Sequence, residues 1–198
     1  MTVFSLEHGK LAYHADFVLY GGAVVLLVAF LALMVPPGHR PQSAVLALAG
    51  LVGWSALEYA LHRFVLHGLQ PFRGWHTQHH ERPTALICTP TILTAALFAV
   101  LVFLPAMALG GVARACALMV GILSGYLAFA ITHHATHHWR ADHAWLRGRK
   151  RWHAQHHRRA AGLPGCYGVT SGIWDHVFGS AARNPPSEGD ETCPASTR

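Results

Sequence analysis

The chain has 198 residues, of which 52% are hydrophobic and only 12% are charged. This length fits one domain, and this composition favours a membrane protein over a soluble globular protein. The net charge of +6 does not indicate nucleic-acid binding, because the basic residues lie beside apolar segments, where membrane topology already requires them. The four cysteines form no C-x-x-C pair, which argues against a disulfide framework and against a thiolate metal site.

Four apolar segments of about twenty residues follow one another, at residues 16–35, 43–61, 84–104 and 112–132. A helix of this length spans about 30 Å, the thickness of the hydrocarbon core of a bilayer. The sequence therefore predicts an all-α integral membrane protein with about four transmembrane helices. Acidic residues precede the first segment and no small-residue cleavage site follows it, so we expect a retained helix rather than a signal peptide.

Local signals refine these spans. The second span is expected to continue as a helix through the stretch EYALHRFVLH, and Gly50, Gly53 and Ala56 would let it pack closely on a neighbour. Pro90 predicts a kink near the start of the third span, and residues 105–111 predict a tight return. Residues 1–183 are predicted to form the membrane domain. Residues 184–198 lack apolar periodicity and predict a disordered tail.

Histidines are concentrated just outside the second, third and fourth spans. The spacing H-x-x-H-H occurs three times, and a helix would place each set on one face. Ten imidazoles in the order H-x4-H, H-x2-H-H, H-x3-H and H-x2-H-H, with two of them from the middle set, exceed the coordination shell of one ion, so the pattern predicts two metals in one centre. The three sets are His76, His79 and His80; His134, His137 and His138; and His153, His156 and His157, and they are preceded by His62 and His67.

Two carboxylates are candidates for a supporting role in this centre. Neutral imidazole ligands leave the charge of a divalent metal uncompensated, and a nearby carboxylate could orient a ligand and offset that charge. Glu58 precedes His62 by one helical turn, and Asp175 is the second candidate. Imidazole alone does not select one metal, but attack on an unactivated C–H bond requires a metal that binds and reduces O2, which favours a pair of non-haem irons over zinc.

The order of the spans places every histidine set on the same side of the membrane. Most arginines lie on that side too, whereas only Arg40 and Arg114 lie near the two opposite loops. The positive-inside rule makes the histidine side cytoplasmic, together with both termini, so a helical cap that carries the metals is expected in the cytosol.

The order of these motifs, closed by GVTSGIWDHVFGS, resembles the membrane fatty acid hydroxylase superfamily over roughly residues 43–180, with the fatty acid 2-hydroxylases as the nearest branch. The resemblance implies a dimetal centre that inserts one oxygen atom from O2 beside the carboxyl or amide carbon of an acyl group. It also implies that zinc can occupy the site in preparations. By motif it assigns the ligands to His62, His67, His76, His79, His80, His134, His138, His153, His156 and His157.

The middle histidine set allows two registers, because His133 and His137 form a second H-x3-H pair. We favour His134 and His138, since the spacing of fifteen residues from His138 to His153 fits the family pattern. His137 remains a further candidate ligand.

The resemblance leaves the donor and the substrate open. The chain contains no H-P-G-G haem motif, so electrons are expected from a separate donor of the cytochrome or ferredoxin type. The predicted substrate is a fatty acyl group, free or within a lipid. A carotenoid or sterol-type hydroxylase or desaturase is the alternative enzyme. A metal transporter or sensor is disfavoured, because the spans hold almost no polar ligands that could form a pathway.

Overall fold

The computed structural model describes residues 7–159 and 165–181. Within these residues the chain is helical and forms no β-strand. Four helices are long and apolar enough to cross a membrane, so the predicted all-α membrane architecture with four spans is confirmed. The helices are α1 (Lys10–Met34), α2 (Arg40–Ala60), α3 (Phe72–Glu81), α4 (Thr91–Phe98), α5 (Leu104–Gly110), α6 (Val112–His138), α7 (Ala144–Arg159) and α8 (Ile173–Val177).

The second span continues as a helix beyond α2, as the sequence predicts, but its last turn widens. Residues Leu61–Leu66 form a π-helical segment that directly extends α2. Such wide turns are frequent at functional sites, because they turn side chains away from the regular helical face. Here the segment carries His62, and His67 follows it.

The third span differs from its prediction at both ends. Pro90 does not kink a helix; it precedes the first residue of α4, a position where its missing N–H costs nothing. Residues 84–90 lie outside the helix, and Ile87 pairs with Glu7 in an isolated antiparallel bridge. At the other end, the span continues past Pro105 because the π-helical turn Ala99–Phe103 precedes it, and such a turn accommodates the absent N–H. The chain reverses at Gly111, whose φ of 79° favours glycine.

Close backbone contact joins α2 to α6. A Cβ atom added at Gly50 would lie 2.4 Å from the Leu118 carbonyl oxygen, and one added at Gly121 would lie 1.9 Å from the Ala47 carbonyl oxygen. The predicted role of Gly50 in close packing is therefore present in the structure. Gly53, in contrast, has nothing within 4 Å of such a Cβ and takes no part in this contact.

The first span and α4 pack on the other side of α6. Tyr20 of α1 is buried with Met119 and Leu123 of α6, and Phe98 of α4 packs against this cluster. The outward faces of the spans carry exposed aliphatic side chains, as a lipid environment requires, among them Leu26, Leu33, Val45, Leu101 and Leu109. The predicted tail, residues 184–198, lies outside the described residues. The histidines converge at one end of the bundle. Four elements meet there: the end of α2, helix α3, the end of α6 and helix α7.

Candidate metal centre

Nine histidines converge in two neighbouring groups whose ring nitrogens could each hold a metal ion. The first group contains one nitrogen from each of His62, His67, His76 and His156, and these atoms all lie within 4.8 Å of one another. The second group contains His79, His133, His137, His153 and His157 under the same limit. Both groups therefore combine side chains from the end of a membrane span with side chains from α3 and α7.

Helix α3 contributes to both groups. His76 Nε2 lies 3.0 Å from His62 Nε2 in the first group, whereas His79 Nε2 lies 3.1 Å from His133 Nε2 in the second. His80 lies between them, with its Nε2 atom 3.0 Å from His76 Nε2 and 3.1 Å from His156 Nε2, and its ring centroid 4.2 Å from that of His157. The predicted shared face of the H-x-x-H-H spacing thus faces two sites rather than one.

Helix α7 completes the groups with the same spacing. His153 Nε2 lies 2.8 Å from His137 Nε2 and 3.0 Å from His157 Nε2, while His156 Nε2 lies 3.1 Å from His67 Nε2. His156 is completely buried and His153 nearly so. The H-x-x-H-H sets on α3 and α7 therefore each contribute to both neighbouring groups.

The middle set is brought to the centre in the register that we did not favour. His133 and His137 belong to the second group, whereas His134 and His138 stack on each other outside both groups, with ring centroids 4.5 Å apart. His134 Nδ1 lies 3.2 Å from the Tyr13 hydroxyl. The physical reason is the rotation of α6, because His134 faces Tyr13 and Phe17 of α1, and His138 is exposed beside it.

The glycine pattern of α6 does not by itself select one register. Gly121 and Gly125 mark the side of α6 that approaches α2 closely, since a Cβ at Gly125 would lie 2.5 Å from the Trp54 ring. Successive residues of a helix are rotated by about 100°, so His133, His134, His137 and His138 all lie roughly 80–180° away from Gly125. Which pair meets α3 and α7 therefore depends on where those two helices pack.

Glu58 and Asp175 act on a loop and not directly on a histidine. Glu58 is 3% exposed, and its Oε1 atom accepts hydrogen bonds from the backbone N–H of Val169 at 2.8 Å and of Thr170 at 2.9 Å. Asp175 is fully buried and accepts from the N–H of Tyr167 at 2.8 Å and of Gly168 at 2.7 Å. Both carboxylates thus hold residues 165–171, the loop between α7 and α8.

This loop orients two members of the first group. His62 Nδ1 lies 2.5 Å from the Tyr167 carbonyl oxygen, and His156 Nδ1 lies 2.8 Å from the Gly165 carbonyl oxygen. A carbonyl only accepts, so each Nδ1 carries the proton and each Nε2 presents a lone pair. The expected orientation of a ligand by Glu58 and Asp175 is therefore indirect, through backbone carbonyls.

The residues fit a pair of metal ions. His62 and His156 direct Nε2 lone pairs into the first group, and a cation placed among such lone pairs would be attracted to all of them. Burial, and then the neighbouring histidines, lower the pKa of His79 to about 3 and that of His80 to about 2, and burial lowers the pKa of His157 to about 4. These imidazoles are therefore neutral at pH 7, which is the state that binds metals. An all-imidazole set suits iron, zinc or copper.

The comparisons with known proteins agree with this arrangement. The family model described as "Fatty acid hydroxylase" matches residues 47–180. The chain belongs to the fatty acid hydroxylase family. Membership confirms the resemblance seen in the motifs, and the matched range contains every histidine of the two groups.

Curated relatives share this region. The chain is 34% identical over 151 residues to the dihydroceramide fatty acyl 2-hydroxylase FAH2 of Arabidopsis thaliana, covering 71% of this chain and 62% of the relative. It is 31% identical over 152 residues to the ceramide very long chain fatty acid hydroxylase scs7 of Schizosaccharomyces pombe, covering 67% of this chain and 41% of the relative. The chain thus spans less than two thirds of the length of these relatives.

The fold also has a counterpart among solved structures. A structure described as full-length scs7p, with only the hydroxylase domain visible, superposes with a TM-score of 0.71 at 24% identity. The superposition covers 87% of this chain and 67% of that structure. This likeness supports the architecture of helices around the histidine groups.

A cavity of about 150 Å³ opens beside the two histidine groups. His76, His79, His133 and His137 line one part of it, and apolar side chains line most of the rest, among them Phe17, Leu66, Phe72, Trp75, Ile87 and Phe129. A cavity of this volume accepts a group of about the size of benzene. It can therefore receive a segment of a lipid next to the histidines, while the remainder of the lipid lies outside.

Proposed function

We propose that the protein is an O2-dependent hydroxylase of lipid acyl chains that adds a hydroxyl group at carbon 2, close to the membrane interface. One observation carries the proposal: two adjacent groups of convergent imidazoles meet an apolar cavity at the end of four membrane spans. The family membership and the names of the 2-hydroxylase relatives support the same reaction.

The proposed cofactor is a pair of non-haem iron ions, held by the two histidine groups. His62, His67, His76 and His156 would hold one ion, and His79, His133, His137, His153 and His157 would hold the other. When bound, the iron pair supplies the binding and reduction of O2 that oxidation of an unactivated C–H bond requires. His80 lies close enough to both groups to complete either of them.

The protein's own residues prepare the site. The buried loop at residues 165–171 fixes the tautomers of His62 and His156 through two carbonyl oxygens. The apolar cavity wall limits the access of water and directs an acyl segment toward the histidines. Insertion of one oxygen atom converts a C–H bond to C–OH and reduces the second oxygen atom to water, which consumes two electrons and two protons.

The electrons must come from a donor, for which we propose a separate cytochrome or ferredoxin type protein. We also propose that the histidine end of the bundle faces the cytoplasm. Arg63, Arg73 and Arg82 lie at that end, whereas Arg40 and Arg114 are near the opposite turns. This asymmetry supports the cytoplasmic assignment under the positive-inside rule.

Lipid mass spectrometry on cells that express the protein tests the reaction. Cells grown under 18O2 are expected to accumulate acyl lipids heavier by one labelled oxygen, and cells that express His79→Ala are not. The same extracts would reveal a labelled carotenoid or sterol instead, and that result would contradict the acyl proposal.

Two adjacent residues on α6 provide a matched test of the metal site. His137→Ala removes a member of the second group, whereas His138→Ala removes an exposed neighbour outside both groups. Elemental analysis of purified protein should show a loss of about one metal equivalent from the first variant and none from the second. Equal metal content in the two variants would refute the proposed ligand set.

A further inference from the structure

One charged side chain of the cavity is not explained by the metal centre. Asp16 of α1 lines the cavity together with members of both histidine groups, and it is only 8% exposed. Within residues 7–159 and 165–181, no lysine or arginine forms a salt bridge with it. A buried ionisable side chain without a cationic partner in a membrane span is costly, so its presence points to a function.

The carboxylate of Asp16 is held in place by neutral donors. The Thr91 hydroxyl donates to Oδ1 at 2.7 Å, and the Tyr126 hydroxyl donates to Oδ2 at 3.3 Å. A carboxylate has about four acceptor positions, and these two bonds use half of them. The oxygen atoms therefore keep acceptor capacity on a side chain that already lines the cavity.

The depth of this carboxylate suits the polar part of a lipid. Asp16 bonds to Thr91, the first residue of α4, and so lies level with the end of that span and not with its middle. Tyr13, one turn before Asp16, reaches His134 beside the end of α6. The polar cluster therefore lies at the border of the hydrocarbon layer, next to the histidine groups.

From these observations we infer that Asp16 is a specificity-determining residue, which accepts a hydrogen bond from an N–H or O–H group of the lipid beside the carbon to be oxidised. The inference rests on the proposed acyl hydroxylation. The lipid class that fits is an acyl group in amide linkage, whose N–H and neighbouring hydroxyls are donors. A free fatty acid fits poorly, because its carboxylate has the same charge as Asp16 and offers no donor.

Equilibrium binding tests the inference without any turnover. A failure of this inference therefore appears in lipid affinity, whereas a failure of the proposed reaction appears in the lipid products. A radiolabelled N-acyl sphingoid base bound to the purified protein in detergent is displaced by unlabelled lipids of equal chain length. The wild-type protein should prefer the amide lipid to the free fatty acid. Asp16→Asn should lower this preference about tenfold or more, since a hydrogen bond to a charged group is lost.

The matched control removes a different hydrogen bond between α1 and α4. Tyr20→Phe eliminates the contact of 2.5 Å from the Tyr20 hydroxyl to Thr94 Oγ1, and Tyr20 does not line the cavity. Asn keeps the contacts to Thr91 and Tyr126, because both hydroxyls can donate or accept. An equal loss of preference in both variants would show a structural role for Asp16, and an unchanged preference in Asp16→Asn would also overturn the inference.

A second measurement needs only the wild-type protein and remains decisive if Asp16→Asn does not fold. The primary amide of a fatty acid has donors, its methyl ester has neither donor nor charge, and the free acid has a negative charge. The expected order of affinity is amide, then ester, then acid. An ester that binds as tightly as the amide, or an acid that binds as tightly as the ester, would contradict the role of Asp16.

Discussion

Asp175→Asn should release the proposed first metal ion, although the Asp175 carboxylate bonds to a loop and not to a histidine of either group. Its carboxylate accepts three hydrogen bonds, from Tyr167 N at 2.8 Å, Gly168 N at 2.7 Å and Ser180 Oγ at 2.7 Å. In asparagine, an NH2 group replaces one of the two acceptor oxygens. That NH2 group then faces an N–H or O–H donor and cannot accept its hydrogen bond. At least one charge-assisted bond is lost and the others become neutral, at a cost of about 2–4 kcal/mol to the loop at residues 165–171.

The cost reaches the metal through the loop. Tyr167 and Gly165 provide the carbonyls that orient His62 and His156, two members of the first group. Loss of such an orienting contact lowers metal affinity by about ten- to a hundredfold. The two histidines that the loop orients both belong to the first group, so the metal affinity of the second group should change little.

Elemental analysis after dialysis against graded chelator concentrations measures both sites. Wild-type protein should release its two metal equivalents at high chelator concentration, and Asp175→Asn should release one of them earlier. The control is Ser55→Ala, which removes the bond from Trp174 Nε1 to Ser55 Oγ at 3.1 Å beside the same loop. Release curves for Asp175→Asn that match those of Ser55→Ala would refute a role of the loop in metal binding.

Two further predictions concern packing and pH. Gly50→Ala should lower the melting temperature of the purified protein, because its Cβ would lie 2.4 Å from the Leu118 carbonyl oxygen. Gly53→Ala is the control and should be tolerated, because nothing lies within 4 Å of its Cβ. Equal melting temperatures of the two variants would contradict the close contact of α2 and α6. Metal-free protein should lose stability as pH falls from about 6.5 to about 4, because burial lowers the pKa of His67, His156 and His157 to about 4 while the unfolded chain binds protons near pH 6.5. Thermal melts at pH 7.5 and pH 5 measure this effect, and identical curves would exclude it.

The spans, and most of the histidines that the structure brings together, could be predicted because they depend on local patterns. Apolar length alone identified four spans, and the spacing of His76, His79 and His80 on α3 identified a shared face. The same spacing could not show that the face divides between two sites. That division depends on the relative placement of α3, α6 and α7, which is a property of tertiary packing.

The register on α6 and the roles of the carboxylates show the limit more sharply. His133 and His134 are adjacent, so a helix rotated by one residue exchanges them, and the rotation is set by the packing of α6 against α1 and α2. Glu58 is one turn before His62, yet it bonds to Val169 and Thr170, more than a hundred residues later. Its short distance in sequence from His62 suggested a contact with that histidine. The fold instead brings the backbone N–H groups of a distant loop to the Glu58 carboxylate.

Among the described residues, helices α3 and α7 bury few aliphatic side chains. The buried side chain of α3 is His79, and those of α7 are Leu146, His153 and His156. A segment that buries histidines instead of leucines gains little from the hydrophobic effect, and neutral imidazoles in contact with each other do not replace it. Metal ions would supply the missing attraction, since a ligand that binds only the folded state stabilises that state. The membrane spans thus fold on apolar packing and lipid contact, whereas the assembly of α3 and α7 over them would be stabilised by the proposed metals.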